Sequence, residues 1–119
     1  MDKNISTIEE YFKLSDLASS DKDSLNKILK LFSDEATIKS GMDETSSGKK
    51  EVSDFFEEFF DKFLQLKHLF RTEIVDDFYQ TEWAVIGLKK DNSLFSLHGY
   101  DYYKFNESGQ ITSLVVNVS

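Results

Sequence analysis

The sequence contains no cysteine, which excludes disulfide bonds and a thiol nucleophile but leaves the cellular compartment open. No apolar run approaches the ~20 residues that a membrane-spanning helix needs. The start of the chain leads into no apolar segment of the kind found in signal peptides. We therefore expect a cytoplasmic protein without a membrane partner.

Basic residues are scarce, with 14 Lys and Arg against 22 Asp and Glu, so the net charge is −8. This charge disfavours binding to the negatively charged backbone of nucleic acids. The two histidines lie thirty positions apart, and no group of His, Asp and Glu has the spacing of metal ligands. No glycine-rich phosphate motif occurs either. We expect no nucleic acid partner, no metal and no cofactor.

Aromatic residues are abundant, with eleven Phe, five Tyr and one Trp among 119 residues. A chain of this length suits one domain, and it buries somewhat under ~70% of its accessible surface on folding. So many rings need a core, a pocket or an interface. The prediction is a single domain over residues 1–119.

Three helices are predicted from capping signals and apolar spacing. Ser6–Glu9 reads as a capping box and predicts a first helix that runs to about Ala18. After Asp21, a second apolar repeat at helical spacing comprises Leu25, Ile28, Leu29 and Phe32. Gly48 opens a third helix, whose apolar stripe comprises Val52, Phe55, Phe56, Phe59, Phe60, Phe63 and Leu64.

Strands are predicted where the apolar period changes from 3.6 to 2 after Leu66. Four strands are expected over residues 67–75, 79–89, 94–105 and 111–118, with turns at 90–93 and 106–109. Gly109 suits a turn position with positive φ. A short early strand is predicted over 36–40, followed by a polar loop over 41–48. The predicted order is three helices interleaved with one early strand, then a four-stranded meander.

The segment Asp101–Ile111 reads DYYKFNESGQI and resembles the penultimate hairpin of the nuclear transport factor 2-like superfamily. SnoaL-like polyketide cyclases and ketosteroid isomerases belong to that superfamily. The run LFSDEATI at 31–38 and the Phe-rich helix after Gly48 also resemble it, so the likeness covers nearly the whole chain. It implies one SnoaL-like α+β domain. The fold would be a cystatin-like, cone-shaped barrel with three N-terminal helices on a curved mixed or antiparallel sheet.

Asp101 is the leading candidate for a catalytic residue. Alternation along the strand places Asp101, Tyr103 and Phe105 on one face. If that face is concave, burial would raise the pKa of Asp101 and favour the neutral acid. By resemblance, Asp101 falls where the isomerases hold a protonated aspartate. The alternative is an aspartate at a strand end that is exposed or hydrogen-bonded to backbone.

Two further catalytic candidates follow from the resemblance. Tyr11 lies near the position of the isomerase hydroxyl that pairs with the aspartate, and His68 could act as a base. The alternatives are a core-filling tyrosine and a structural or exposed histidine. The isomerases' own catalytic base corresponds to Ser40, which is a weak base. Asp43 would replace it only through a shift of the loop.

Two functions remain open from the sequence. The first is an apolar pocket for a small hydrophobic molecule, with isomerase, cyclase or hydrolase chemistry as an option. Its predicted lining comprises Phe32, Phe56, Phe59, Leu97, Tyr103 and Val116. The alternative is a non-catalytic homodimeric binding or scaffold module. An enzyme would need an ionised base facing Asp101.

The outer face of the sheet is predicted to form a homodimer interface, because a large apolar and aromatic patch is rarely left exposed to water. Counting by alternation from Asp101 assigns the following residues to this face: Trp83, Val85, His98, Tyr100, Tyr102 and Val115. His98 is therefore a poor catalytic candidate and a fair interface residue.

Overall fold

A computed structural model describes residues 2–119 as an α+β fold with three helices and a six-stranded mixed sheet. The helices are α1 (Lys3–Ser15), α2 (Lys22–Leu29) and α3 (Gly48–Asp61). The strands are β1 (Phe32–Lys39), β2 (Thr45–Ser47), β3 (Phe63–Val75), β4 (Phe78–Lys89), β5 (Leu94–Phe105) and β6 (Ile111–Val118).

The four long strands form the predicted antiparallel meander, and the sheet order is β2-β1-β6-β5-β4-β3. β1 runs parallel to β6, which makes the sheet mixed. The turn before β6 is closed by a hydrogen bond from Asn106 N to Gln110 O, with Gly109 at φ 83° as expected. The strand that carries Asp101 therefore lies inside the sheet, between β4 and β6.

The first helix begins earlier than the capping box predicted. Asp2, not Ser6, is the N-cap residue, and its Oδ1 accepts hydrogen bonds from the backbone N–H groups of Asn4 and Ile5. The Oδ2 atom of Asp2 also accepts a hydrogen bond from the Tyr79 hydroxyl at 2.9 Å. Aspartate caps a helix as well as serine does. The hydrogen bond between Asp2 and Tyr79 of β4 therefore favours the start of α1 at Lys3.

Two phenylalanines predicted on helix stripes belong to strands instead. Phe32 is the first residue of β1 and pairs with Ile111, while Phe63 is the first residue of β3 and pairs with Lys89. Their spacing fits the preceding helix equally well, so only backbone pairing with a distant strand separates the alternatives. Likewise, the predicted polar loop contains β2, which pairs antiparallel with β1.

α1 and α3 contact one face of the sheet, here called the inner face, where Tyr11 packs on Tyr103 and Phe59 packs on Phe63. In the register of β4 and β5, Trp83 is opposite Gly99 and Thr81 is opposite Asp101. Cross-strand partners share a face, so Trp83 and Val85 lie on the inner face with Asp101 and are buried there. The prediction that they belong to the outer face is wrong. Which residues of neighbouring strands share a face depends on the register between those strands. The sequence does not state this register.

The core between helices and sheet is built from the apolar stripes. α3 buries Val52, Phe56 and Phe60, and α1 buries Ile8 and Phe12. Complete burial of such a side chain contributes ~1.5–3 kcal/mol. None of the helices within residues 2–119 is long and apolar enough to cross a membrane.

Gly99 is predicted to be intolerant of any side chain. A Cβ at this position would lie 2.6 Å from Cζ2 of Trp83 and would collide with the backbone oxygen of Asn117. Overpacking of this kind costs ~1–3 kcal/mol. We expect Gly99→Ala to lower the free energy of unfolding by that amount in urea denaturation.

Gly41→Ala is the matched control for Gly99→Ala. The Cβ that it adds would meet the Cγ2 atom of Val118 at 2.7 Å, but that side chain is half exposed and can move aside. Equal losses of stability in the two variants would show that the contact between Gly99 and Trp83 is not tight.

Candidate functional site

Asp101 is a buried carboxyl group in the middle of β5, with 4% of its surface exposed. Its Oδ2 accepts a hydrogen bond from the Tyr103 hydroxyl at 2.7 Å, and its Oδ1 accepts one from Trp83 Nε1 at 2.9 Å. Burial raises the pKa of Asp101 to about 7, although both hydrogen bonds act in the opposite direction. The carboxyl therefore changes charge near neutral pH.

The two donors decide how Asp101 can act. An indole N–H only donates, so Oδ1 is an acceptor in either protonation state. When Asp101 is neutral, its proton has a partner on Oδ2, because the hydroxyl of Tyr103 can turn and accept it. Asp101 is thus satisfied within the protein, and it presents an acceptor rather than the free donor that an oxyanion site requires.

Tyr11 lies against the same cluster. Its ring packs edge-on to Phe32, Phe56 and Tyr103, each with a centroid distance of 6.1 Å. Burial, together with the nearby charge of Asp101, raises the pKa of Tyr11. Tyr11 therefore lies near Asp101 and packs on its neighbour Tyr103. Among residues 2–119, the donors that reach the carboxyl are Tyr103 and Trp83 rather than Tyr11.

A polar strip continues from Asp101 across the sheet. Thr81 is its partner on β4 and is fully buried, and Thr72 follows on β3. The two threonine hydroxyl oxygens lie 2.8 Å apart and share a hydrogen bond. Sequence reasoning missed Trp83 and Thr81 as neighbours of Asp101. The only signal that could have found them was the register of β4 on β5.

His68 is held by Asp16, which the sequence analysis did not single out. The Oδ1 atom of Asp16 accepts from the backbone N–H of His68 at 2.9 Å and lies 2.7 Å from its Nδ1. Burial lowers the pKa of His68, and Asp16 opposes that effect only in part. His68 lies four positions along β3 from Thr72, ~13 Å at the strand rise. The structure therefore does not place His68 opposite Asp101.

The positions considered for a missing base have other roles. The Oγ atom of Ser40 accepts hydrogen bonds from the backbone of Met42 and Glu44 and shapes the turn between β1 and β2. Asp43 is exposed, has φ 64° and pairs with Lys39 at 3.3 Å. Neither residue supplies a proton acceptor to Asp101. In addition, the described part of the chain contains no cluster of His, Asp and Glu that could hold a metal ion.

The predicted pocket residues differ widely in exposure. Phe32, Phe56 and Tyr103 are buried in the core, Phe59 and Val116 are half-buried, and Leu97 is 46% exposed. Two concave regions stand out on residues 2–119, one on the outer face of the sheet and one beside the start of α1. Neither is lined by Asp101, whose carboxyl is buried and contacts Trp83 and Tyr103.

Comparison with protein families decides the classification. A family described as the SnoaL-like domain matches residues 8–114. The chain belongs to the SnoaL-like domain family. A nuclear transport factor 2-like protein of unknown function from Exiguobacterium sp. 255-15 is similar at 28% identity, with a TM-score of 0.85. The match covers 95% of this chain and 98% of that protein.

Two more distant structures share the SnoaL-like fold. A putative polyketide cyclase from Xanthomonas campestris pv. campestris is 12% identical, with a TM-score of 0.82 over 98% of this chain and 90% of that one. SalBIII is an epoxide hydrolase/cyclase-like enzyme with a role in pyran ring formation in salinomycin. It is 15% identical, with a TM-score of 0.81 over 98% of this chain and 91% of that one. A search of curated proteins found no match.

The buried carboxyl of this SnoaL-like chain predicts a specific pH dependence. The pKa of Asp101 is raised from 3.8 to about 7, so the folded state holds the proton more tightly than the unfolded state does. The free energy of unfolding should therefore fall as pH rises from about 4 to about 7, by ~4 kcal/mol over the whole range.

Asp101→Asn should abolish the pH dependence that comes from this carboxyl while keeping the hydrogen bonds with Trp83 and Tyr103. The amide oxygen accepts from Trp83, and the amide N–H donates to the Tyr103 hydroxyl. We expect the variant to gain stability relative to wild type as pH rises, measured by urea unfolding between pH 5 and 8. Parallel curves for the two proteins would contradict a raised pKa.

Proposed function

We propose that this SnoaL-like domain binds a small hydrophobic molecule at the apolar rim, a set of inner-face residues on β5 and β6. The rim comprises Phe95, Leu97, Val116 and Val118. Leu97 and Val118 are each 46% exposed, and this exposure is the observation that supports the proposal. The other two side chains are half-buried against the core.

The rim adjoins the buried cluster. Val116 is the β6 partner of Asp101, and Val118 is the partner of Gly99. Phe95 stacks on Phe63 with a centroid distance of 5.0 Å, which links the rim to α3 through Phe59. Ligand sites are mostly apolar with a few polar groups that fix orientation. Here Asp101, the strand partner of Val116, is a polar group that could do so.

The proposed function is binding of a small hydrophobic molecule without isomerase chemistry. Ser40 and Asp43 supply no base, and His68 lies away from Asp101, so the proton-transfer half of an isomerase is missing. Loss of a general base costs ~10²–10⁴ in rate. The names of two neighbours, a putative polyketide cyclase and an epoxide hydrolase/cyclase-like enzyme, agree with a small-molecule role for the fold.

Binding at the rim is tested with Leu97→Glu. A neutral apolar probe such as Nile red should bind wild type saturably, with a fluorescence increase. The variant should lose at least about tenfold in affinity, because a carboxylate is costly to bury against an apolar ligand. Leu17→Glu is the matched control, since Leu17 is 48% exposed and lies in the turn that follows α1. No saturable binding, or equal loss in both variants, would refute the proposal.

A second candidate role is a homodimer through the outer face of the sheet. Leu69 and Ile86 are exposed there, and both lie on the same side of an ion pair between Arg71 and Glu82. A concavity of about 310 Å³ lies over this pair and is also lined by His98. Adjacent opposite charges within an apolar surface are self-complementary, which a two-fold interface requires. The side chains of Trp83 and Val85 take no part, because they lie on the inner face.

The dimer is tested with two isoleucines of similar exposure. Ile86 is 62% exposed on the outer face, and Ile74 is 56% exposed on the inner-face side of β3. We expect wild type and Ile74→Glu to sediment as dimers at micromolar concentration. Ile86→Glu should dissociate at least about ten times more readily, because its charge would be buried in the interface. Sedimentation of the wild type as a monomer would contradict the proposed dimer.

A further inference from the structure

One side of β3 is an unpaired edge of the sheet. β3 lies at the end of the strand order, and among the described residues it pairs with β4 alone. The backbone N–H of His68 donates to the carboxylate of Asp16 rather than to β4, so it points out of the sheet on this side. Backbone groups in an antiparallel strand alternate between its two sides. Phe70, Thr72 and Ile74 therefore present their N–H and C=O groups along the same free edge.

The charges beside this edge favour pairing of β3 with itself. Exposed strand edges are templates for another strand, and proteins often protect them with charge. Here Arg71 and Glu73 are exposed on either side of Thr72 and have opposite signs. If two copies of β3 pair antiparallel about a two-fold axis at Thr72, each Arg71 lies opposite Glu73 of the other copy. Arg71 binds Glu82 through Nε and Nη2, which leaves Nη1 for this second carboxylate.

Other registers lose this complementarity. With the axis at Arg71 or at Glu73, that residue lies opposite its own copy, and like charges directly opposite each other are destabilising. An axis further back along β3 needs the N–H of His68, which already binds a carboxylate. An axis further forward runs past the end of β3 at Val75. The axis at Thr72 therefore satisfies both the charges and the free hydrogen-bonding groups.

The apolar side chains at the edge match in the same register. Phe70 is 36% exposed and Ile74 is 56% exposed, and both lie on the inner face. An axis at Thr72 places each Phe70 opposite Ile74 of the other copy, and aromatic and β-branched side chains form favourable cross-strand pairs. On the outer face, exposed Leu69 comes opposite Val75. Apolar surface is thus covered on both faces of the paired strands.

We infer that the free edge of β3 pairs antiparallel with the same edge of a second copy of this chain, with the two-fold axis at Thr72. The inference goes beyond the proposed function and uses neither the apolar rim nor the outer-face dimer. A ladder over residues 70–74 is smaller than the ~1,200 Å² of stable interfaces, so it forms above micromolar concentration. The micromolar sedimentation of wild type and Ile74→Glu is therefore not affected by it.

The register is tested by disulfide cross-linking, since the chain has no cysteine of its own. In the paired edges, Arg71 and Glu73 of the other copy have Cα atoms ~4.5 Å apart, which a disulfide spans. The two copies of Arg71 are roughly 8 Å apart, too far for that bond. Arg71→Cys and Glu73→Cys, mixed equally at about 0.5 mM and oxidised, should give at least about tenfold more heterodimer than either homodimer.

Lys67→Cys is the matched control for Arg71→Cys. Lys67 is exposed on the same face of the same strand, but it lies four positions, ~13 Å, from Arg71. Mixed with Glu73→Cys, this variant should give no more heterodimer than random collision does. A random yield of heterodimer from Arg71→Cys and Glu73→Cys would overturn the inference. So would a dominant homodimer of Arg71→Cys, which would indicate contact through the outer face instead.

Amide hydrogen exchange of the wild type tests the pairing without any substitution. Raising the protein from about 50 µM to about 1 mM should slow exchange at Phe70, Thr72 and Ile74 by at least about threefold, because these amides become bonded. The amides of Arg71 and Glu73 already face β4 and should change less. An outer-face dimer leaves the edge amides free. Unchanged exchange at the three edge positions would therefore overturn the inference even if the outer-face dimer forms.

Discussion

The burial of one carboxyl group organises the inner face of this SnoaL-like domain. Taking Asp101 out of water penalises its charge and raises its pKa to about 7. The hydrogen bonds from Trp83 and Tyr103 offset part of that cost. The Trp83 donor depends on a neighbour, because its indole reaches the carboxyl across the bare backbone of Gly99. A single buried acid thus constrains two strands and a glycine.

This constraint also shapes the function that the domain can have. The donors and the rings around Tyr11 pack around Asp101, and on the inner face Leu97 of β5 and Val118 at the end of β6 remain exposed. The positions where a base was sought serve the fold instead: Ser40 builds a turn, and His68 ties β3 to Asp16.

Much of the fold was predictable because it depends on local patterns. Alternation over 67–118 and the turns at Lys90–Ser93 and Asn106–Gly109 predicted the meander, and the structure confirms it. The ends of the helices were not predictable. Phe32 and Phe63 fit a helical stripe and a strand equally well, and their pairing with Ile111 and Lys89 decides between them.

The sequence by itself determined that Asp101 and Tyr103 share a face, because side chains alternate within any strand. It also determined the family, since the string at Asp101–Ile111 and the Phe-rich helix α3 are local features. Only the tertiary structure decided that Trp83 shares that face, since this depends on how β4 is registered against β5. A shift of one residue in that register would turn Trp83 away and leave Asp101 without its indole donor.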